Sequence, residues 1–372
     1  MHVHVVSPQE LGPTEIQRWR ELQQQALSLQ NPFLSPEFAM VVGRSRPQAR
    51  VAVVADDGGQ LAGFFAFEAN RLGIAHPIGT GLSDSQGFVH DVNLDWSWSE
   101  LLRASKLRMC SFDHLIVDNL QTRQGWTVRA SPIIDLTGGY EYYIAEAHKR
   151  SKKTLKNLRY QERRLANDFD QVQFQFGAPD LSGVAQVLTL KSTQYRKNGF
   201  HDIMGRADVR QIVEELAHID TPSLMPAFAA LSVDGKMIAG DFSLRSTSVM
   251  AGWIAAHDVD YAKYSPGFVR TMRTIRACSD VGLTYLDMGK GDEDYKRPLT
   301  NGVLEVAEGT VMRRSLLATA WKASAAPETY INNYILAHPE LRSVVRRGRR
   351  TLGRRRVAIE AKLGRRGSGV PH

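Results

Sequence analysis

Tyr264-Ser265-Pro266-Gly267, the run Phe268 to Val281, the run Thr284 to Met288, and then Gly289-Lys290-Gly291-Asp292-Glu293-Asp294-Tyr295-Lys296-Arg297-Pro298 form the stretch that decides the fold. A glycine loop leads into an amphipathic helix, with Val269, Met272 and Ile275 apolar and Arg270, Arg273 and Arg276 cationic, and a strand follows. Pro266 has the backbone angle tolerated in a first helical turn. Gly267 lets a ligand approach the backbone, so the free N–H groups of the helix start suit a phosphate. The cluster after the strand is too polar for a core and reads as the rim of a site.

Working outward, the rest of the chain reads as two α/β halves. In the first, Val51 to Ala55 and Leu61 to Glu68 are strands joined by the turn Asp56-Asp57-Gly58-Gly59. Ile74 to Ile78 extends the sheet, Gly79-Thr80-Gly81-Leu82-Ser83-Asp84 breaks it, Trp98 to Leu107 reads as a helix and His114 to Val117 as a strand. In the second, Ala227 to Val233 and Met237 to Leu244 flank Asp234-Gly235, and Val249 to Ala255 precedes the loop and helix already quoted. Val303 to Val311 is a last strand. The shared order of hairpin, helix and strand suggests tandem modules, 1–140 and 141–312, followed by a helical linker and tail, 313–372.

Charge is unevenly spread. The chain of 372 residues has a net charge of +8, yet eleven Lys or Arg against two acids lie between Pro339 and His372, leaving 36 basic and 37 acidic residues elsewhere. The body is neutral and the tail is a separate basic device. Attraction to an anionic membrane surface is the leading expectation for it, ahead of nucleic acid, because it has few aromatics to stack on bases. A second basic element is a helix over 141–167, where eight cations face the lone Glu162 between Lys149 and Arg164. Arg159 and Arg163 are spaced to share one phosphate on a helix face. The two cysteines, Cys110 and Cys278, fit neither a disulfide framework nor a zinc site. No basic region followed by a long apolar run opens the chain, and no stretch of about 18 apolar residues occurs, so cytoplasmic residence, with peripheral contact at an inner membrane, is expected.

These motifs together resemble a family. Asn31-Pro32-Phe33-Leu34-Ser35-Pro36-Glu37-Phe38, the Gly79–Asp84 loop, the basic helix with Asn157-Leu158-Arg159, Tyr264-Ser265-Pro266-Gly267, and Gly289-Lys290-Gly291-Asp292 with Tyr295-Lys296 are similar to the GNAT-type acyltransferases of the CelD-like group, found in cellulose and exopolysaccharide gene clusters and distantly related to the Fem aminoacyltransferases. The resemblance implies tandem GNAT-like modules with mixed, mostly antiparallel sheets. It implies acyl transfer from acyl-CoA, as co-substrate and without a metal, to an amine or hydroxyl, for instance on a sugar; Lys296 and Arg297 suit an anionic acceptor such as a nucleotide-linked sugar. Two alternatives remain open: Fem-like aminoacyl transfer from charged tRNA, and a non-catalytic assembly protein of a polysaccharide synthase.

Acyl transfer needs a held pyrophosphate, a polarised carbonyl and a base. Ser265, Pro266, Gly267 and Phe268 serve the first need, with Lys263 standing in for the basic residue that precedes the more glycine-rich GNAT loop. The base candidates are Asp241 in its apolar strand, His257 at the end of the next strand, and Asp292 or Tyr295 in the polar cluster. Arg159, Arg163, Lys290, Lys296 and Arg297, with Ser83 and Asp84 on an acceptor wall, are the expected substrate contacts. No nucleophile motif is present, so direct transfer without a covalent intermediate is expected.

Overall fold

The computed structural model describes residues 1–117, 125–291 and 296–313. In chain order the first half comprises β1 (His2–Val6), α1 (Pro13–Gln24), α2 (Pro36–Ser45), β2 (Ala49–Ala55), β3 (Leu61–Ala69), β4 (Ile74–Pro77), β5 (Val89–His90), α3 (Trp98–Ala104) and β6 (Met109–Ile116). There follow β7 (Thr127–Asp135), α4 (Gly139–Arg150), α5 (Lys152–Asp168), β8 (Val172–Gly177), α6 (Leu181–Asn198), α7 (Ala207–Leu216), β9 (Met225–Val233), β10 (Lys236–Arg245), β11 (Val249–His257), α8 (Pro266–Asp280), β12 (Tyr285–Asp287) and β13 (Gly302–Met312). Of the linker and tail expected over 313–372, everything after 313 lies outside the described residues. Among the described residues no helix is long and apolar enough to cross a membrane.

Local chemistry sets several element ends. Asp234 and Gly235 both take positive φ, 47° and 79°, the combination a two-residue hairpin turn demands. Ser35 caps α2 by accepting the Phe38 N–H at 3.1 Å, with Pro36 at the first helical position. The basic helix expected as one element over 141–167 is two helices. Ser151, outside the helical region at φ −154° and ψ 79°, ends α4 and starts α5, its hydroxyl 3.4 Å from the Thr154 N–H.

The strands form one sheet in the order β1-β2-β3-β4-β6-β13-β7-β12-β11-β10-β9-β8, with β5 paired to β3. Two neighbouring pairs, β4 with β6 and β11 with β12, are parallel, and the remaining ladders are antiparallel. Two strands cross the divide between halves. β13, last of the described strands, lies between β6 and β7, and β7 lies between β13 and β12.

One face of this sheet is a single core. Trp19, Phe38 and Phe64 from the first half are continuous there with Val187, Ile212, Phe228, Phe242 and Ile254 from the second. Trp19 stacks on Phe64 at 4.9 Å, and Phe33 meets the edge of Trp253 across the halves at 5.5 Å. The opposite face carries two separate cores, one under α3 and one under α4, α5 and α8. A shared sheet and a shared core predict one cooperative unfolding transition. Phe242→Ala, by opening a cavity in that core, is expected to cost about 3–5 kcal/mol and to move far-ultraviolet dichroism and tryptophan fluorescence together in urea; separated transitions would show that the halves are independent.

Candidate functional site

The site begins where a ladder ends. β11 and β12 pair over only three residues, Val249 to Ala251 with Tyr285 to Asp287, after which β11 runs on to His257 without a strand beside it on that edge among the described residues. On its other edge the register with β10 shifts between Phe242 and Leu244, and the Trp253 N–H there goes to the Ser243 hydroxyl at 3.1 Å. At Gly252, a Cβ would come within 3.0 Å of the Asp287 carbonyl, so glycine keeps the throat of this V close.

One side of the V leads to the loop before α8. A 3-10 turn, Val259–Tyr264, delivers Ser265 into the left-handed region at φ 49° and ψ 50°, and α8 starts at Pro266. A serine held there stores local strain of the kind that collects at ligand sites. His257 lies against the loop, its Nδ1 3.5 Å from where a Cβ on Gly267 would be. Gln194 donates to the His257 carbonyl at 2.9 Å, and burial, aided by Arg270, lowers the imidazole pKa. Lys263 is exposed, its ammonium 4.7 Å over the Tyr264 ring, and Phe268 is half-buried against the core under α8.

Beneath the first turns of α8, Asp241 is buried and committed. One carboxylate oxygen accepts from Arg270 and the other from Ser243, which is itself the acceptor for Trp253 N–H. Thr271 also accepts from Arg270, at 2.8 Å, and donates to the Gly267 carbonyl at 2.8 Å. The pair thereby links the bulge to the loop.

The other side of the V gathers charged groups from both halves. Asp287, wholly buried, accepts from Ser131 and from the Gly289 N–H, both at 2.9 Å, and burial raises its pKa. Lys296 is buried with its ammonium on the Gly289 carbonyl at 3.0 Å, and Lys290 bonds the Asp113 carbonyl at 2.7 Å and Glu308 at 2.8 Å. Into this cluster the first half's glycine loop brings Asp84, whose Oδ2 lies 3.6 Å from where a Cβ on Gly289 would be. Its surroundings raise the Asp84 pKa to about 6, chiefly by burial, with Asp287 adding and His114 and Lys296 opposing, although 40% of its side-chain surface is open. Ser83 is turned away, its hydroxyl on the Ile78 carbonyl at 3.1 Å. From α6, Lys191 donates to the Ala255 carbonyl at 3.0 Å and lies over Tyr195.

The structure therefore brings together Asp84, Lys290, Lys296, Asp241, His257 and the Ser265–Gly267 loop around one splayed strand pair. Arg297 is exposed beside them, and Asp292 and Tyr295 lie outside the described residues. Arg159 and Arg163 stand apart on the exposed face of α5, which packs on α4, α8 and the turn before Ser265. Sequence reasoning missed Lys191, Tyr195, His114 and Asp287; the i, i+4 spacing of Lys191 and Tyr195 was the one available local signal. Among the described residues no group of three or more His, Cys, Asp or Glu is placed to hold a metal ion.

The comparable splay in the first half is filled. β4 and β6 pair only through Ile74–Met109 and Ala75–Cys110, and Gln86 then enters the gap. Its backbone bonds His114 and Ile116, and its side-chain carbonyl accepts the N–H groups of Asp113 at 3.0 Å and His114 at 3.1 Å.

Residues 152–297 match a family model described as an acetyltransferase (GNAT) domain, a span running from α5 through the splay and the α8 loop to Lys296 and Arg297. The class of fold is accordingly a tandem of GNAT-like modules. Among solved structures, FemX is similar with 13% identity and a TM-score of 0.56, covering 83% of this chain and 96% of its own. A tandem GNAT protein from the clavulanic acid biosynthesis pathway is similar with 9% identity and a TM-score of 0.47, covering 84% of this chain and 99% of its own. The FemX likeness shows the fold alone. No curated protein matches the chain.

Because Asp241 and Arg270 are both buried, removing one strands the other's charge. Arg270→Met is expected to lower unfolding stability by about 3–5 kcal/mol in a denaturant titration; an unchanged midpoint would mean that the carboxylate finds solvent or another partner.

Proposed function

We propose that this protein transfers an acyl group directly from acyl-CoA to an amine or hydroxyl acceptor, with the second half binding the donor. The single observation that carries the reading is the V between β11 and β12, with a strand edge along one arm that is unpaired among the described residues and a helix start suited to an anion at its end. The residues fit such a donor. Ser265, Pro266 and Gly267 would hold the pyrophosphate, the Cβ-free position at Gly267 leaving the loop open beside His257. Lys263 and Phe268 flank that loop. The edge of β11 beyond Ala251 would take the pantetheine arm, and the bulge at Trp253, tied to Ser243 and Asp241, fixes the backbone where a thioester carbonyl would be polarised.

The acceptor would enter from the side of Asp84, Lys290, Lys296 and Arg297, where both signs of charge suit a polar or anionic molecule such as a nucleotide-linked sugar. Asp292 and Tyr295, next to Lys296 in sequence, remain candidates for this side. The filled gap at Gln86 supports one donor site per chain, in the second half. Asp241, held by Arg270 and Ser243, serves as a positioning group, and His257 as a donor-loop contact. A place in polysaccharide or cell-envelope biosynthesis, as in CelD-like proteins, with the basic tail at an anionic membrane surface, completes the proposal.

A second reading has its own observation. Lys152, Lys156, Arg159 and Arg163 are exposed along one face of α5, at spacings of one helical turn, with Tyr160 exposed beside them. Such a stripe suits a phosphate backbone and favours aminoacyl transfer from charged tRNA.

Thermal unfolding against a panel of acyl-CoA thioesters separates these. A donor that binds only the native state adds about 2.7 kcal/mol at a hundred times its Kd, and the expected midpoint rise should vanish in Gly267→Asp. If no thioester shifts the midpoint and charged tRNA binds with a steep salt dependence that falls in Arg159→Glu, the second reading replaces the first. Silence towards both would leave an assembly role.

A further inference from the structure

The first half supplies more than a wall. Its glycine loop, placed after β4 where α8's loop follows β11, is tied down by Glu68, which accepts the Gly79 N–H at 2.9 Å and an Arg46 bond at 2.9 Å. Leu82 is fixed by Trp253, whose indole N–H reaches its carbonyl at 2.8 Å. Two residues on, Asp84 projects to Gly289, with His114 Nε2 3.9 Å from its Oδ1 and Asp113 Oδ1 3.0 Å from His114 Nδ1 on the far side of the ring. Gln86 holds that strand segment by its side chain.

We propose that Asp84, delivered by the first half into the second half's site, is the general base of the transfer, and that His114, facing its carboxylate at 3.9 Å, is a positioning residue. The inference rests on the acyl-transfer reading. In the step, the acceptor's lone pair attacks the thioester carbonyl, the new C–N or C–O bond forms and the C–S bond breaks. The acceptor's proton passes to Asp84 and coenzyme A leaves as the thiolate, which takes a proton from water. Asp84 is suited to this because, among the described residues, no lysine or arginine forms an ion pair with it as Arg270 does with Asp241. The groups facing it are His114 and Asp113 from β6, Asp287 from β12, Lys296, and Lys191 and Tyr195 from α6. They are of mixed sign, so the carboxylate gives up and regains its proton near pH 6.

The pH dependence has a definite sign. A carboxyl whose pKa is raised in the folded state binds more protons there than when unfolded, so its contribution to stability falls as pH rises from about 4, the unfolded value, towards 6. Asp84→Asn should remove that slope.

The test uses the full chain, Asp84→Asn and His114→Gln, with acetyl-CoA as probe and thiol release as readout. Asp84→Asn should lower kcat by about 10²–10⁴-fold and abolish the acidic limb of kcat/KM, while the thermal shift by acetyl-CoA persists. His114→Gln should move that limb to higher pH and lower kcat/KM on its acidic side, and the Asp84 carboxyl resonance in ¹³C NMR should move with it. Wild-type turnover with an unchanged rate and profile in Asp84→Asn would overturn the base assignment and leave acyl transfer standing. Wild type that neither binds nor turns over acetyl-CoA or longer acyl-CoA thioesters would overturn both.

Discussion

The site depends on the buried carboxylate of Asp287. A buried carboxyl must find hydrogen-bond partners, and this one takes the Gly289 N–H and the Ser131 hydroxyl. Satisfying it turns the chain immediately after β12, at a glycine with φ 74°, while the Met288 N–H goes to Pro132 on β7. The chain that would have continued the parallel ladder with β11 has therefore been drawn to the other neighbour. β11 keeps going to His257, and among the described residues no strand pairs with that edge beyond Ala251. Ser131 and Pro132 can act in this way because β7 sits between β12 and β13 in the sheet.

That strand arrangement also explains why two similar halves have different work. In each, a parallel pair parts beyond a short ladder, and in each a glycine-containing loop follows the first strand of the pair. In the first half the opening is closed by Gln86, which meets the N–H groups that a ligand would otherwise meet. With that opening closed, the loop reaches across to Gly289. Its anchor is Glu68 with Arg46, the latter also 3.6 Å from Asp208 on α7, and Trp253 holds it from the second half. Its product is a carboxylate in the neighbouring site.

Elements with strong local signals were legible in the sequence. The hairpins at Asp56–Gly59 and Asp234–Gly235, the strands on either side, and α8 from Pro266 are where turn residues and periodicity place them. The break at Ser151 was legible too, since Ser151 and Thr154 form a capping pattern, but a continuous run of cations masks it. β7 and β8 carry weaker patterns: β7 contains Pro132, and β8 is a half-exposed edge strand. Asp241 illustrates a different failure. Alternation sets it opposite Phe242, which would be a solvent face in a sheet covered on one side, but α8 covers that face here and Arg270 meets the carboxylate. The assembly of Asp84, His114, Asp287 and Lys296 follows from strand order, which no local pattern encodes.

The two buried or half-buried acids near the splay show how environment divides labour between like groups. Asp241 is held by the Arg270 guanidinium on one oxygen and by Ser243, and through it the bulge, on the other. Such a pair fixes structure, since each partner needs the other in a medium that solvates neither. Asp84 faces an imidazole at 3.9 Å, a second carboxylate and an ammonium already bonded to a carbonyl, none of which claims it outright. Its protonation stays responsive to what enters the site. On the acyl-transfer proposal, an acceptor amine or hydroxyl losing its proton needs that responsiveness, and the group with the open flank, not the one sealed under α8, is the one an acceptor would reach.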